Sequence, residues 1–421
     1  MIRSTLSALA RRWRRPARRP EQVRLRLEAM EDRCVPALLI VNSPADNINQ
    51  MGTLRWAVAH ANNGDTIAIT TTQPIVLTQG ELYLANSVNI ESGVFSSFQV
   101  TQVTVSGDHL SRIFEVAPAG HVNLDYLHLI DGVGLADNPG GTAAADGYGG
   151  AILNQGTLAL TACSLQDNGS TVGTFGPPTT VIAGGGILNN ANPAEFGTPN
   201  PVGDLTLTRC RVDDNTAQNA GGGIDNLLGS AAVLLSTMSG NNVATGTGGG
   251  ISSSGGILVL ASSEFDHDAV MQGDGGGVAG VGGLLFVLAC QLQFNAAHNE
   301  GGGVYHHNSG FLTIGSTYFD NSAMDGAGIA NTGNGATMGV FNCTFMNNQA
   351  TAFGGGIFNG PGAFANVDTS NLIDNSAGAG GGIYNYMAGT LNLGFSLLQT
   401  NTPDNLDNQG TYNDLGGNTF I

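Results

Sequence analysis

The sequence predicts an all-β protein, a right-handed parallel β-helix of about 11 coils with three strands per coil and a short N-terminal capping helix. Three observations predict this fold: a repeat of 26 or 27 residues, three short apolar clusters in each repeat, and a glycine run before the first cluster. A regular repeat of this length indicates a solenoid whose units stack along one axis. Period-two alternation within each cluster indicates strands and not helices. Right-handedness follows from the crossover rule for parallel strands.

Each repeat closes on a polar residue. The regular closing residues are Asn215, Asn241, Asp268, Asn295, Asn321, Asn348, Asn375 and Asn401, and earlier coils close at positions 93, 132 and 168. A second polar column lies two places after the apolar residue that ends the glycine run: Asn154, Asn189, Asn226, Asn331, Asn359 and Asn385. Because parallel coils stack about 4.8 Å apart, each column is expected to form a hydrogen-bonded amide ladder with a structural role.

The leucine-rich repeat is the rival solenoid, since its period of about 20 to 29 residues overlaps with this one. Its return segment needs a helix or a compact turn. In this chain that segment consists of Gly, Ser, Asn and Thr, which are poor helix formers. The composition therefore favours the β-helix.

Charge divides the chain into two zones. Ten arginines and four acids in residues 1–33 give a net charge of +6, whereas the remaining chain has four arginines, 28 acids and no lysine, giving −24. An acidic body of this kind disfavours nucleic acid and anionic membranes as partners. No apolar run reaches transmembrane length, and we expect a monomer.

Residues 1–37 are predicted to be a basic leader. Their last part reads Leu-Glu-Ala-Met-Glu-Asp-Arg-Cys-Val-Pro-Ala, from Leu27 to Ala37. This phrase resembles the LExxEDRxVPA leader of many large bacterial surface and secreted repeat proteins, and the resemblance implies export to the cell surface or the extracellular space. The alternative is a disordered basic tail.

Residues 38–64 are predicted to be an N-terminal cap. Leu38 to Asn42 is a β-like run, and a helix of two to three turns is expected to open near Thr53. The wording from Gly52 to Ile67 resembles the SLRxAI…AN…GDTI opening of bacterial surface β-helix proteins, although Trp56 departs from it. Residues 65–421 are then the β-helix, with loop insertions near 133–149, 170–183 and 191–202.

The repeated body, about residues 149 to 401, resembles the pectin-lyase-like superfamily, and its GG[GA]I…FxxN style is similar to polymorphic outer membrane protein repeats. The resemblance implies the fold. It leaves the function open between enzymes, adhesins and structural fibres.

One charged cluster is the catalytic candidate. Arg209 and Arg211 lie beside Asp213 and Asp214, and Glu264 and Asp266 follow two coils later. Pectate-lyase-like enzymes combine Ca²⁺-binding acids with a basic residue, so the cluster resembles such a site; the alternative is a solvated charged face. The Gly-His-Gly and Arg-x-Lys motifs of polygalacturonase-like hydrolases are missing.

No cofactor is predicted. Four histidines do not repeat with a metal-ligand spacing, namely His267, His298, His306 and His307. Calcium at the corners stays open as an alternative, although no motif supports it, since the nonapeptide pattern of acids is missing. We therefore predict no metal site.

One set of aromatic residues is the ligand-binding candidate. Alternation from the inward apolar residues places the set on the outer face of one sheet within four coils: Tyr305, His307, Phe358, Tyr384 and Tyr386. Aromatic rings on a flat polar sheet can stack on sugars or dock a protein. The alternative is ordinary strand propensity or contact with a loop.

The sequence as a whole favours a secreted or surface-attached β-helix protein with a structural or adhesive role, binding glycan or protein without catalysis. The competing hypothesis is a polysaccharide lyase or glycoside hydrolase of the same fold. A charged groove with carboxylates and arginine would favour the enzyme.

Overall fold

The computed structural model describes residues 36–421 apart from 93–94, 97–98, 101, 136–145, 170–181 and 192–202. Over these residues the chain forms a right-handed parallel β-helix with one short helix, which confirms the predicted fold class. One of its sheets has 12 strands, one for each turn. The predicted count of about 11 agrees with this number to within one turn; the additional turn is the one that begins at Thr66.

Sheet A has 14 strands, all paired in parallel. Its strands are Leu38–Val41, Thr66–Ile69, Val88–Ser92, His121–Asp125, Thr157–Thr161, Asp204–Thr208, Ser230–Leu234, Ile257–Ala261, Leu284–Leu288, Gly310–Ile314, Thr337–Phe341, Phe364–Asp368, Thr390–Gly394 and Thr411–Gly416.

Sheet B has 13 parallel strands and follows sheet A in each coil. Its strands are Ile75–Val76, Val103–Ser106, Leu127–Ile130, Ser164–Gln166, Arg211–Asp213, Thr237–Ser239, Glu264–Asp266, Gln291–Gln293, Thr317–Phe319, Thr344–Met346, Asn371–Ile373, Leu397–Gln399 and Thr419–Phe420.

Sheet C has 12 parallel strands and completes the turn. Its strands are Leu82–Leu84, Phe114–Val116, Ile152–Asn154, Ile187–Asn190, Ile224–Leu227, Ile251–Ser254, Val278–Val281, Val304–His307, Ile329–Thr332, Ile357–Asn359, Ile383–Asn385 and Leu406–Asn408.

Short strands join sheets B and C at their common corner. Six of them form a fourth parallel sheet: Thr216–Ala217, Asn242–Val243, Ala269–Val270, Ala296–Ala297, Ser322–Asp325 and Gln349–Phe353. A further parallel pair consists of Gly246–Thr247 and Gly273–Asp274. Phe95–Ser96 and Gln99–Val100 form an antiparallel pair.

The core lies inside the coil, because alternate side chains of every long strand point inward. In the strand Ile257–Ala261, for example, Leu258 and Leu260 are fully buried while the residues between and beside them are accessible. Parallel pairing is in register from coil to coil, so like residues stack on like. Burial of these columns, at about 25 cal/mol per Å² of apolar surface, is the main stabilising contribution to the fold.

The column of closing residues is the predicted ladder. From Asn168 to Asn375 each amide nitrogen donates to the side-chain oxygen of the closing residue one coil later, except at Asp268, which has no amide. Most distances between these atoms lie near 3.0 Å; that from Asn348 to Asn375 is 2.8 Å. The same nitrogens also donate to a backbone carbonyl of the preceding coil. Both bonds satisfy groups that would each cost about 1–3 kcal/mol if buried alone.

The second ladder runs through the ends of the sheet C strands. Asn154 donates to Asn189 at 2.7 Å, and Asn331 donates to Asn359 at 2.8 Å. His306 occupies an Asn position in this column, with its Nδ1 2.8 Å from the Asn331 oxygen. Burial lowers the pKa of His306 to about 4, so the ring is neutral and serves as a rung.

The predicted helix is Leu54–His60, with Thr53 as its N-cap. The Thr53 hydroxyl accepts a hydrogen bond from the Trp56 amide at 3.2 Å, which satisfies one of the free donors of the first turn. Trp56, the residue that departs from the resembled wording, stacks on His60 with 4.4 Å between ring centroids. The strand predicted beside this helix, Leu38–Val41, is the first strand of sheet A.

Several predicted features lie wholly or partly outside the described residues. The leader falls there up to position 35, and so does the closing position 93. Most of each predicted insertion falls there as well, namely 136–145, 170–181 and 192–202.

Candidate binding groove

A groove crosses the outer face of sheet B where a strand with short side chains lies between two strands with long side chains. Thr237 and Ser239 form its floor, between the strands Arg211–Asp213 and Glu264–Asp266. The register pairs Arg211 with Thr237 and Thr237 with Glu264, so the charged walls lie two strand spacings apart, about 9.6 Å. The groove has a volume of about 440 Å³.

The two arginines on one wall carry the exposed positive charge of residues 34–421. That segment contains four arginines, and two of them, Arg55 and Arg112, are buried. Arg209 and Arg211 both line the groove, and the Arg211 side chain is 70% exposed. The groove therefore offers cationic groups to a ligand in a body that is otherwise acidic.

Asp213 lies beneath Arg211 and is 6% exposed. Its Oδ2 accepts a hydrogen bond from Arg211 Nε at 2.9 Å and forms an ion pair with Nη2 at 2.8 Å. Its Oδ1 is buried and has no hydrogen-bond partner among the described residues. Burial raises the pKa of Asp213 above its usual range, and the Arg211 guanidinium opposes that rise.

The other wall is anionic and held in place by neighbours. Glu264 accepts a hydrogen bond from Gln293 Nε2 at 2.6 Å. Asp266 is 2.7 Å from His267 Nδ1, and the His267 ring stacks on Phe294. Both carboxylates are therefore oriented before any ligand binds.

The structure thus brings together three of the four charged residues selected from the sequence. Arg209, Arg211 and Asp213 line the groove together with Glu264 and Asp266. Asp214 does not line it: its backbone has a φ of 55° and its side chain is exposed at the corner. Chemically, the groove presents hydrogen-bond donors and acceptors at a spacing suited to a sugar residue, with a buried acid at one wall.

The aromatic set is assembled on the outer face of sheet C, but much of it is covered. Phe358 and Tyr384 stack with ring centroids 6.0 Å apart, and Phe353 from the corner strand lies 4.6 Å from Tyr384. Phe358 is 5% and Tyr384 8% exposed. Tyr384 lies on the outer face of sheet C, as alternation predicts, but the corner strand covers it.

The remaining three members of that set are Tyr305, His307 and Tyr386. Tyr305 and His307 stack with 5.9 Å between ring centroids, and His307 Nδ1 is 3.0 Å from Thr332 Oγ1. Tyr386 is half-buried, with its ring 6.0 Å from that of Tyr384. Their role in ligand binding stays a prediction.

A column of acids beside Tyr305 was missed by the sequence analysis. Asp274, Glu300 and Asp325 precede the glycine run in three successive coils, and they stack at the corner of sheet C. Burial raises the pKa of Glu300 to about 7, and the neighbouring carboxylates add to that rise. Burial also raises the pKa of Tyr305 to about 12. Aligning the repeats on the glycine run would have shown this column.

Within the described ranges, no three His, Cys, Asp or Glu side chains are grouped so that they could hold a metal ion. The same ranges contain no helix with the length and apolar character needed to span a membrane.

No protein-family model and no curated protein sequence matches the chain. Among solved structures, it is similar to tailspike protein 3 of bacteriophage CBA120, at 12% identity and a TM-score of 0.39 over 87% of this chain. It is similar to a GH136 lacto-N-biosidase from Eubacterium ramulus, at 9% identity and a TM-score of 0.36 over 91% of this chain. It is also similar to ORF18 of Geobacillus virus E2, at 10% identity and a TM-score of 0.24 over 91% of this chain. The chain spans 57%, 67% and 59% of these three proteins.

Proposed function

We propose that this protein is a secreted or cell-surface β-helix that binds a glycan without cleaving it, and that the groove on sheet B is the binding site. The single observation that carries the proposal is the groove itself, in which both exposed arginines face two oriented carboxylates across a floor of Thr237 and Ser239. A sugar ring fits such a groove because its hydroxyls can donate to the acids and accept from the arginines.

The arginines favour a glycan that contains acidic sugars. A guanidinium binds a carboxylate through two parallel hydrogen bonds, which gives orientation as well as affinity. Arg209 has no ion pair among the described residues, and Arg211 is 70% exposed although it contacts Asp213. We therefore propose a uronic-acid residue as the group held in the groove.

A second candidate function, hydrolysis of the glycosidic bond, is favoured by Asp213 alone. Its raised pKa and its unpartnered Oδ1 suit a general acid. Asp266 lies in the same column two strands away, at a backbone distance of about 9.6 Å, close to the range of about 6.5–9.5 Å between the carboxyl groups of inverting glycosidases.

The test is a glycan array probed with the full chain, followed by a cleavage assay on any glycan that binds. We expect binding to uronic-acid glycans, and we expect Arg209→Gln/Arg211→Gln to weaken it at least about tenfold, since charge-assisted hydrogen bonds to a charged group contribute about 1.5–3 kcal/mol each. Thr344→Ala/Asn371→Ala, on the same sheet but outside the groove, is the matched control. Parent-like binding by the arginine variant would contradict the proposed site.

Cleavage distinguishes the two candidate functions. Release of reducing ends that is lost in Asp213→Asn, with binding retained, would establish a hydrolase and overturn the non-catalytic proposal. Unsaturated products absorbing near 235 nm would indicate a lyase instead. Binding with neither product is the result we expect.

A further inference from the structure

The outer face of sheet A is apolar across five successive strands. In an exposed parallel sheet, outward positions are normally polar, because only one face packs on the core. Here the 15 outward positions from Ser230–Leu234 to Thr337–Phe341 contain two polar residues, Ser230 and Thr337. The others are Ala232, Leu234, Ile257, Val259, Ala261, Leu284, Phe286, Leu288, Gly310, Leu312, Ile314, Gly339 and Phe341.

This apolar face is accessible to a partner. Its exposed apolar residues are Ile257, Leu284 and Ile314, at 43%, 46% and 42%. None of the 15 outward positions carries a charge, although the body from residue 34 onward has a net charge of −24. A continuous exposed apolar patch on a sheet marks an interaction surface.

We propose that the apolar face binds a second copy of the chain, giving a face-to-face dimer with two-fold symmetry. The proposal departs from the monomer expected from the sequence and does not depend on the proposed glycan function. Two copies of a body this acidic repel one another over most of their surface. The apolar face lets them approach without bringing like charges together.

The pattern of side-chain sizes supports self-association. A two-fold axis along the central strand, Leu284–Leu288, would bring the strand before it against the strand after it. Ile257 then meets Gly310, and Ala261 meets Ile314, so that a large side chain faces a small one in both pairs. Along the axis itself Leu284, Phe286 and Leu288 each meet their own copy, so large side chains meet at the centre and the complementary pairs lie on either side of it. Sheets packed face to face lie about 10 Å apart.

The same axis also matches the polar ends of the sheet. Ser230 meets Thr337 at the edge of the apolar face. One strand further out, Asp204 meets Phe364 and Asp368 meets Thr208. Acids therefore face a phenyl ring or a hydroxyl and not another acid, which avoids a repulsion that costs several kcal/mol when it is buried.

The area is sufficient for a stable pair. Centred on Leu284–Leu288, the overlap extends from His121–Asp125 to Thr411–Gly416, a length of roughly 48 Å. With a strand width of about 13 Å, the flat footprint is about 600 Å² per copy. The uneven surface of the side chains and the exposed corner residues Leu228 and Leu235 add to this flat area. The buried area then approaches the value of about 800 Å² per partner in a standard interface.

The test is the molar mass of the full chain by light scattering across a concentration series. We expect a mass twice that of the 43.0 kDa chain. Leu284→Glu should produce the monomer, since residue 284 faces its own copy across the axis, and its Kd should rise at least about 100-fold. Leu110→Glu and Met387→Glu, at exposed apolar residues outside sheet A, should leave the dimer intact.

A charge-swap experiment separates loss of the interface from loss of folding. Leu284→Glu and Leu284→Lys should each be monomeric alone, and an equimolar mixture should form a heterodimer. A mixture that stays monomeric while both variants keep the parent's circular dichroism would overturn the proposal. A monomeric parent would also overturn it. If that monomer floats with phosphatidylcholine vesicles, the apolar face binds lipid and not a second copy.

Discussion

Asn241 Nδ2 donates to Asp268 Oδ1 at 2.9 Å, and this contact marks the one acidic rung of the ladder within the described coils. The Oδ2 of Asp268 is buried and has no hydrogen-bond partner within the part of the chain that the structure describes. In the other rungs the corresponding atom is an amide nitrogen that donates to the next rung, as Asn295 does to Asn321 at 3.1 Å. An ionised Asp268 would place an acceptor where the ladder needs a donor, whereas a protonated Asp268 can donate from Oδ2.

Asp268→Asn should therefore stabilise the protein at neutral pH. Burial raises the pKa of Asp268 well above its usual range, the carboxylates of Asp266 and Asp213 raise it further, and the hydrogen bonds from Asn241 oppose the rise. The variant restores the donor and removes the need to hold a buried proton. We expect a gain of about 1–3 kcal/mol in the free energy of unfolding, measured by urea denaturation at pH 7.

The pH dependence of that gain has a definite sign. Because the folded pKa of Asp268 lies above the unfolded value near 3.8, its contribution to stability is fully present below about pH 4 and declines as the pH rises towards the folded pKa. The difference between variant and parent should consequently grow from pH 4 to pH 8. Asp404→Asn, at an exposed acid, is the control for an Asp-to-Asn change outside the ladder. A difference for Asp268→Asn that does not change with pH would contradict the protonated rung.

Asn348→Leu should destabilise strongly, because Asn348 serves three other residues. Its Nδ2 donates to Asn375 at 2.8 Å and to the Tyr318 carbonyl at 2.9 Å, and its Oδ1 accepts from Asn321 at 2.9 Å. Each stranded group costs about 1–3 kcal/mol. Asn347 has a φ of 57°, so Asn347→Gly is the matched control and should change the melting temperature little. Comparable losses from both variants would contradict the ladder's role.

Tyr384→Ser should lower the free energy of unfolding by about 1–3 kcal/mol, and Tyr386→Ser should lower it less. Tyr384 packs against Phe353 and Phe358, with ring centroids 4.6 and 6.0 Å away, whereas Tyr386 is half-buried. Thermal melts of both variants check the order. Binding on the glycan array should be retained in Tyr384→Ser; a folded variant that loses binding would place the glycan on the aromatic set and not in the groove.

The four thiols of the body should resist alkylation in the native protein. All four are free and buried, with side chains that point into the coil: Cys163, Cys210, Cys290 and Cys343. Burial raises the pKa of Cys290 and Cys343, which lowers the fraction of reactive thiolate. Iodoacetamide followed by mass spectrometry should modify these four residues only after unfolding. Rapid native labelling of Cys290 would contradict the inward register.

The repeat was sufficient to predict the fold because residues at the same position of successive repeats stack on one another and share the same environment. Once Asn348 and Asn375 were aligned, the inward position of Phe345 followed from alternation alone, and the structure places Phe345 in the core. The groove was harder to predict. The repeat register placed Arg211 and Asp213 near Glu264. The groove itself arises because the short side chain of Thr237 lies between long side chains on both neighbouring strands, and the sequence of one strand does not show this.

The aromatic set shows where alternation stops being informative. The pattern correctly assigned Tyr384 to the outside of the coil, but a residue outside the coil can still be covered by a corner strand. Phe353 covers it because Gln349–Phe353 is longer than most strands of the corner sheet. The length of that strand depends on its pairing with Ser322–Asp325 and was not visible as a periodic signal.

The corners of the coil have a consequence for how this protein can change. The residue before each closing position, and the residue at each corner between sheets A and B, usually adopts a φ near 55°, and at many of these places it is not glycine. Leu235, His267, Phe294 and Phe395 are examples, all with exposed side chains. This conformation costs an ordinary residue about 1–2 kcal/mol. The hydrogen bonds between stacked strands hold each corner in this conformation whichever side chain it carries. The corners therefore form rows of surface positions at which the residue type can change while the fold is kept.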